Sequence, residues 1–298
     1  MKKQTKIAFL GGDRRQHTAA VKLCGGVWDI YEWGHSQSEQ YQGITLCEDI
    51  SQALFEASAV ILPLPASTDG INLNVITPHS QGKIALTLIV DSLDPECIII
   101  GGRLPASLRE CAASRKIKFF DYFESEEFQI NNAYTTAEAA VSIAMDKLDK
   151  NIRESRFAIT GYGRIAKQLA RLLRAFDADV TVCARKESDL AWAGLSGCKT
   201  MRIDGENTLK ALNNGYDVIM NTVPTCLFDR EFLKMIDPHT LIIELASAPG
   251  GIDVSAAKSL HSNVLWAASL PGKYAPQSAG ALIAECVGAL LEREVGAT

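Results

Sequence analysis

The stretch Arg156-Phe157-Ala158-Ile159-Thr160-Gly161-Tyr162-Gly163-Arg164-Ile165-Ala166 decides the fold, because a short apolar strand runs straight into Gly-x-Gly-x-x-Ala and then into a helix. The first glycine permits a tight turn, the second lets the backbone approach a pyrophosphate, and the small third residue lets helix and strand pack closely. The start of the helix adds unpaired N–H donors and the positive end of its dipole. The motif alone is common by chance, so its context carries the reading. Phe157 to Ile159 supply the strand, and Ile165, Leu169, Leu172, Leu173 and Phe176 supply a helical repeat after it. Contacts to a dinucleotide are therefore expected from Gly161, Tyr162, Gly163, Arg164 and Ile165.

The next strand, Ala178 to Ala184, bears on which dinucleotide is bound. An NAD-type turn usually closes this strand with an acid, roughly 20 residues past the first glycine, which holds the ribose 2′-hydroxyl. Here Arg185 and Lys186 follow the strand. A guanidinium and an ammonium suit a 2′-phosphate, which places NADP ahead of NAD. Glu187 is close enough to keep the NAD reading open, and a solvated basic turn is the bland alternative.

The 298 residues suffice for two domains, each with its own core. With 47% hydrophobic and 22% charged residues and a net charge of −5, the composition is that of a soluble globular protein with no affinity for nucleic acid. The longest apolar runs, such as Ile84 to Val90, fall far short of the roughly 20 residues a bilayer requires. The basic start Met1 to Lys6 leads into a strand ending in Gly11-Gly12 rather than into a signal-peptide core, so a cytoplasmic protein is expected. The eight cysteines lie far apart without metal-ligand spacing and read as small buried hydrophobes. No metal site is expected.

Strand and helix signals alternate along the chain. Lys6 to Leu10, Trp28 to Trp33, Ala59 to Leu64, Cys97 to Ile100 and Lys116 to Phe120 read as strands. Thr18 to Cys24, Ile50 to Ala57 and Leu104 to Arg115 read as helices, with Leu86 to Ile89 a further short apolar piece. An acidic linker, Asp121 to Glu127, then precedes a capping box at Thr135-x-x-Glu138 that opens a helix through Lys147. Tyr216 to Met220, Thr240 to Leu245 and Asn263 to Ala267 are the later strands, and Ala279 to Glu292 forms a final helix. The expected fold is α/β, with two doubly wound parallel-sheet domains. The first spans residues 1–130 and takes back the final helix, about 278–298. A connecting helix covers 131–150, and a Rossmann domain binding NAD(P) covers 151–277.

In open parallel sheets ligands bind beyond the carboxyl ends of strands. In the second domain this adds Asn221, Thr222, Val223, Pro224, Leu245 and Ala246 to the cofactor-binding candidates. In the first domain Gly11-Gly12-Asp13-Arg14-Arg15-Gln16 puts two guanidiniums at a helix start, a plausible carboxylate receptor that Pro63 would complete. A solvated turn is an equal alternative. His17, His35, His79, His239 and His261 show no pairing that marks a catalytic base, and no nucleophile elbow is present, so no catalytic residue is named.

Together, Gly11 to Gln16, Gly161 to Arg164, Asn221 to Pro224, Glu244 to Asp253 and Leu270 to Gly280 resemble the A-subunit family of bacterial dipicolinate synthase, nearly end to end. The two later Pro-Gly segments at their spacing carry most of the likeness. The chain departs from the family pattern at Thr135-Thr136, where proline is usual, and at Ala139 and Ala166, where glycine also occurs. The resemblance implies an NADP-linked dehydrogenase that converts dihydrodipicolinate to dipicolinate during sporulation. It also implies a partner, the small flavoprotein-like B subunit, with a homodimer as the default assembly. Arg14 or Arg15 would clamp one substrate carboxylate, while Asn221 to Pro224 and Leu270 to Ala275 close over the ring. The alternatives are another two-domain dehydrogenase of the alanine or 2-hydroxyacid type, or a nucleotide-binding subunit without chemistry of its own.

Overall fold

A computed structural model describes residues 5–35, 41–76, 82–204, 211–213 and 215–296. Contacts divide the chain into two compact units, one of Met1–Asn131 with Ala275–Thr298, the other of Asn132–Tyr274.

The first unit alternates β1 (Thr5–Leu10), α1 (Arg14–Leu23), β2 (Trp28–Trp33), β3 (Ile44–Leu46), α2 (Ile50–Leu54), β4 (Ala59–Ile61), α3 (Leu86–Asp91), β5 (Ile98–Gly101), α4 (Ala106–Ser114) and β6 (Phe119–Asp121). Its six strands are all parallel, in the order β3-β2-β1-β4-β5-β6. The sheet therefore reverses direction of growth between β1 and β4, and the crevice beyond those two strand ends is where such a fold takes ligands. Central strands covered on both faces must be apolar throughout, and β4 and β5 are buried at every position.

The chain leaves this unit along α5 (Glu126–Lys147). The second unit continues with β7 (Arg156–Thr160), α6 (Arg164–Ala175), β8 (Asp179–Ala184), α7 (Glu187–Leu195), β9 (Lys199–Arg202), β10 (Val218–Asn221), α8 (Arg230–Met235), β11 (Leu241–Glu244), α9 (Val254–Ser259), β12 (Val264–Trp266) and α10 (Leu270–Tyr274). Its parallel sheet runs β12-β11-β10-β7-β8-β9, the same winding, with the reversal between β7 and β10. The last helix, α11 (Pro276–Glu294), belongs to the first unit.

Several expectations need correction. The acidic segment is no linker: Asp121 ends β6, and its carboxylate accepts from the backbone N–H groups of Arg103, Leu104 and Phe123 and pairs with Arg109. Thr135 opens no helix, because α5 is already under way from Glu126, and Thr136 Oγ1 donates to the Asn132 carbonyl within it. Leu86 to Ile89 lies in helix α3, whose buried Leu86, Ile89 and Val90 follow the i, i+3, i+4 spacing. The face that α6 buries is Ala166, Leu169, Ala170 and Leu173, while Phe176 is exposed. The edge strands β3 and β9 and helices α7, α8, α9 and α10 are additions.

Helices α1 and α11 meet closely in the first unit. A Cβ on Gly280 would lie 2.5 Å from Thr18 Cβ and 2.7 Å from the Arg15 carbonyl oxygen. Helix propensity alone favours alanine over glycine by about 1 kcal/mol, but this contact leaves no room for a methyl group. Gly280→Ala is expected to lower stability by about 1–3 kcal/mol through separation of the two helices. Thermal unfolding followed by circular dichroism tests this; a raised melting temperature would show that propensity outweighs packing here.

Candidate functional site

The carboxyl end of the second sheet begins with the turn after β7. Gly161 has φ +87°, and a Cβ there would sit 2.7 Å from Thr222 Oγ1, so glycine is required on both conformational and steric grounds. Tyr162 turns away from the turn into the hydrophobic core, where its hydroxyl meets Ser196 Oγ at 3.3 Å. Gly163 is the N-cap of α6. It provides no side-chain cap, and a Cβ there would touch nothing within 4 Å. The start of α6 thus carries no side-chain cap, which fits a pyrophosphate. Ala166, fully buried, is the small residue that lets α6 approach β7. Arg164 is exposed and Ile165 half-buried.

Across the sheet reversal, the ends of β10 and β11 are joined by a buried polar network. The Glu244 side chain accepts from Asn221 Nδ2 at 2.9 Å, from the Ala246 N–H at 2.8 Å and from the Gly251 N–H at 2.8 Å. Asn221 Oδ1 in turn accepts from Thr160 Oγ1 at 2.5 Å and from the Val223 N–H at 3.1 Å. Thr222 Oγ1 donates to the Thr160 carbonyl at 2.7 Å, and the Leu245 N–H to the Asn221 carbonyl at 2.8 Å. A Cβ on Gly251 would overlap Asn221 Nδ2, so the second loop passes directly over the first. Of the expected cofactor residues, Asn221 and Leu245 are buried supports, Thr222, Val223 and Ala246 are half-buried, and Pro224 is exposed. Glu244 is the organising residue that site reasoning missed; an acid closing an apolar central strand was its signal. Leu270 to Tyr274 forms the short helix α10, with Leu270 and Pro271 buried.

At the end of β8, Arg185 and Lys186 are both exposed, and no ion pair of either is formed among the described residues. Glu187, the acid that kept NAD open, is the first residue of α7 and accepts from Arg202 Nη1 at 2.5 Å.

The first unit handles its corresponding turn differently. Asp13 caps α1 with its own carboxylate, accepting from the Arg15 N–H at 3.0 Å. Arg15 is buried, its guanidinium bound to both Asp13 oxygens and, at 2.6 Å, to the Leu64 carbonyl. Gln16 is buried as well and donates to the Ile61 carbonyl, and Pro63 packs against Gly12. Arg14 is the exposed guanidinium of the pair. It lines an open cavity of about 710 Å³ with His17, Lys22, Tyr41 and Gln277.

The sequence marks no histidine pairing, yet two of the histidines share a partner. Glu32, buried on β2, accepts from His17 Nδ1 at 2.9 Å, and His35 Nε2 lies 4.0 Å from its other oxygen. The signal was the alternation Trp28, Ile30, Glu32, which turns all three inward. Burial pushes the His35 imidazole below its ordinary value, against an opposing pull from Glu32. His239 and His261 are exposed, and His79 lies outside the described residues. Burial raises the Cys97 and Cys183 thiols to about 12, so neither is a nucleophile.

Two outcomes follow. Glu244→Gln replaces one acceptor oxygen by a donor facing backbone N–H groups and is expected to lower stability by about 2–4 kcal/mol, measured by urea denaturation. A loss below about 0.5 kcal/mol would mean that the network is not structural. His35 has a lower pKa folded than unfolded, so its stabilising contribution is complete above the unfolded value and is lost as pH falls through and below it. His35→Phe should therefore flatten the fall of stability between about pH 7 and 5, by at most about 1.4 kcal/mol per pH unit. Parallel wild-type and variant stability curves over that window would contradict this.

Comparison with known proteins agrees with this geometry. Residues 6–123 match the family model of the dipicolinate synthase A-subunit N-terminal domain. Residues 114–269 match "D-isomer specific 2-hydroxyacid dehydrogenase, NAD binding domain", which implies a nicotinamide dinucleotide cofactor. The chain is 32% identical to the dipicolinate synthase A subunit of Bacillus subtilis (strain 168) over 96% of its length and 95% of the relative's. The crystal structure of the dipicolinate synthase A chain from Bacillus subtilis superposes with TM-score 0.82 at 30% identity, covering 100% of this chain and 99% of that one. The A-subunit structure from Bacillus halodurans gives TM-score 0.84 at 27% identity, covering 98% and 99%. A two-unit, doubly wound chain with an uncapped dinucleotide turn in its second sheet, alike over its whole length to these relatives, belongs to the dipicolinate synthase A-subunit family.

Proposed function

We propose that this chain is the NADP-linked dehydrogenase subunit of dipicolinate synthase, removing a hydride and a proton from dihydrodipicolinate to give dipicolinate. The observation that carries the reading is the α6 start, left uncapped at Gly163 for a pyrophosphate, with Arg185 and Lys186 exposed at the end of β8 for a 2′-phosphate. When bound, the nicotinamide supplies the hydride acceptor. The loop Asn221 to Pro224, fixed from beneath by Glu244, orients that end of the cofactor without a charged side chain of its own. Preorganisation of this kind lowers the barrier by positioning rather than by bond making.

Arg14 takes one substrate carboxylate. Its neighbour Arg15 is spent on Asp13 and the Leu64 carbonyl, so Asp13, Arg15, Gln16 and Pro63 shape the receptor while Arg14 supplies its charge. The product is aromatic, which drives the oxidation forward, and a ring proton so acidic passes to water. The relatives' name, which makes each of them one subunit of a synthase, points to a partner. That partner is here proposed to be a small flavoprotein-like B subunit, with the chain itself a cytoplasmic homodimer of sporulating cells.

Purified chain mixed with dihydrodipicolinate and NADP, with and without the B subunit, tests the reading through NADPH absorbance. Absorbance is expected to rise, at the latest once the partner is added. A flat trace in both cases removes the assignment.

A further inference from the structure

The ion pair between Arg202 and Glu187 adds little to stability. Both side chains are largely exposed, at 62% and 72%, and an exposed pair of this kind is worth about 0–1 kcal/mol. Its placement is more informative than its strength. Arg202 is the last residue of β9 and stands in register with Ala184, the last residue of β8. The Ile203 N–H then donates to the Ala184 carbonyl at 2.9 Å, holding the two strand ends together. Arg185 and Lys186 follow Ala184 directly, and Glu187 follows them. The contact from Arg202 Nη1 to Glu187 Oε1, 2.5 Å long, therefore brings a third cation from a neighbouring strand to the same turn.

The pair also bears on what Glu187 does at this turn. A carboxylate that binds a ribose 2′-hydroxyl has to present its oxygens to the cofactor. Here one of those oxygens is taken by a guanidinium, and the residue sits one position inside α7 rather than at the end of the strand. A planar guanidinium holds its N–H donors in a fixed fork, and the carboxylate on Nη1 fixes how that fork is turned.

We infer that Arg202 is a specificity-determining residue for the dinucleotide, binding the 2′-phosphate together with Arg185 and Lys186. This rests on the NADP reading proposed above and deepens it, since the edge strand β9 contributes as well as the turn after β8.

The test is a titration of the intact chain with NADP and with NAD, at one fixed ionic strength, followed by quenching of tryptophan fluorescence. Wild type, Arg202→Ala, Arg202→Lys and Arg185→Ala are compared, with 2′,5′-ADP and 5′-ADP as probes that lack the nicotinamide. Loss of a charge-assisted phosphate contact should weaken NADP and 2′,5′-ADP about tenfold or more in Arg202→Ala, and leave NAD and 5′-ADP within about twofold. Arg202→Lys should recover part of the loss, because it keeps the charge but not the fork. The retained NAD affinity shows that the variant is folded. Equal weakening of NADP and NAD would make Arg202 a structural residue and overturn the inference. If the preference for NADP survives Arg202→Ala but collapses in Arg185→Ala, the NADP reading stands and the part assigned to Arg202 falls. Wild type that binds NAD as tightly as NADP removes both.

Discussion

The carboxylate of Glu244 is the constraint on which the second unit's working end depends. An ionised side chain buried without a cation costs several kcal/mol unless its oxygens are satisfied. Among the described residues no ion pair reaches Glu244, so its satisfaction comes from two backbone N–H groups and one amide. The Ala246 and Gly251 N–H groups belong to the loop after β11, while Asn221 ends β10 and itself accepts from the Val223 N–H of the loop that follows it. Satisfying the charge therefore fixes both loops at once, and the Asn221 amide passes the constraint on to Thr160, the last residue before the glycine turn. Three neighbouring strand ends of the sheet are held in one geometry by a single buried acid.

The two units share a winding and differ in how they finish their first turn. In each, a central strand runs into a glycine turn and then a helix. Helix α1 is capped by Asp13, whose carboxylate takes the Arg15 N–H and sits at the positive end of the dipole. Helix α6 is capped by Gly163, which has no side chain to take one. A phosphate arriving at the first would meet a side-chain cap already in place, and at the second no side-chain cap at all. The same topology thus gives one end suited to pyrophosphate and another whose charge is carried by side chains, with Arg14 outward and Arg15 consumed internally.

Much of this was legible in the sequence because the physics behind it is local. Central strands such as Ala59 to Ile61 and Leu241 to Glu244 are buried on both faces and stand out as apolar runs, and the glycine turn has a steric signature. Edge strands are a different case. Lys199 to Arg202 is mostly exposed, so neither an apolar run nor an alternation marks it, and only pairing with β8 makes it a strand. Leu86 to Asp91 shows the opposite ambiguity: a short apolar run suits helix or strand equally, and packing decides. The capping box at Thr135 failed because a local motif inside a longer helix has no orphan N–H groups to satisfy. The candidate site residues divide the same way. Arg185 was readable from its place after a strand, whereas Arg202 and Glu187 meet only through the fold.

The two buried acids are satisfied by partners of different kinds. Glu244 is satisfied by amide and backbone N–H donors, none of which titrates near neutrality. Glu32 relies on imidazoles, with His17 in contact and His35 close behind. Protonation of His35 would add charge to a site that burial disfavours, while Glu32 pulls in its favour and His17 against it. Carbonyls and amides would have made that corner insensitive to pH. Histidine as partner instead puts a side chain whose ordinary titration range lies near neutrality at the carboxyl end of β2, beside the Gly11-Gly12 turn.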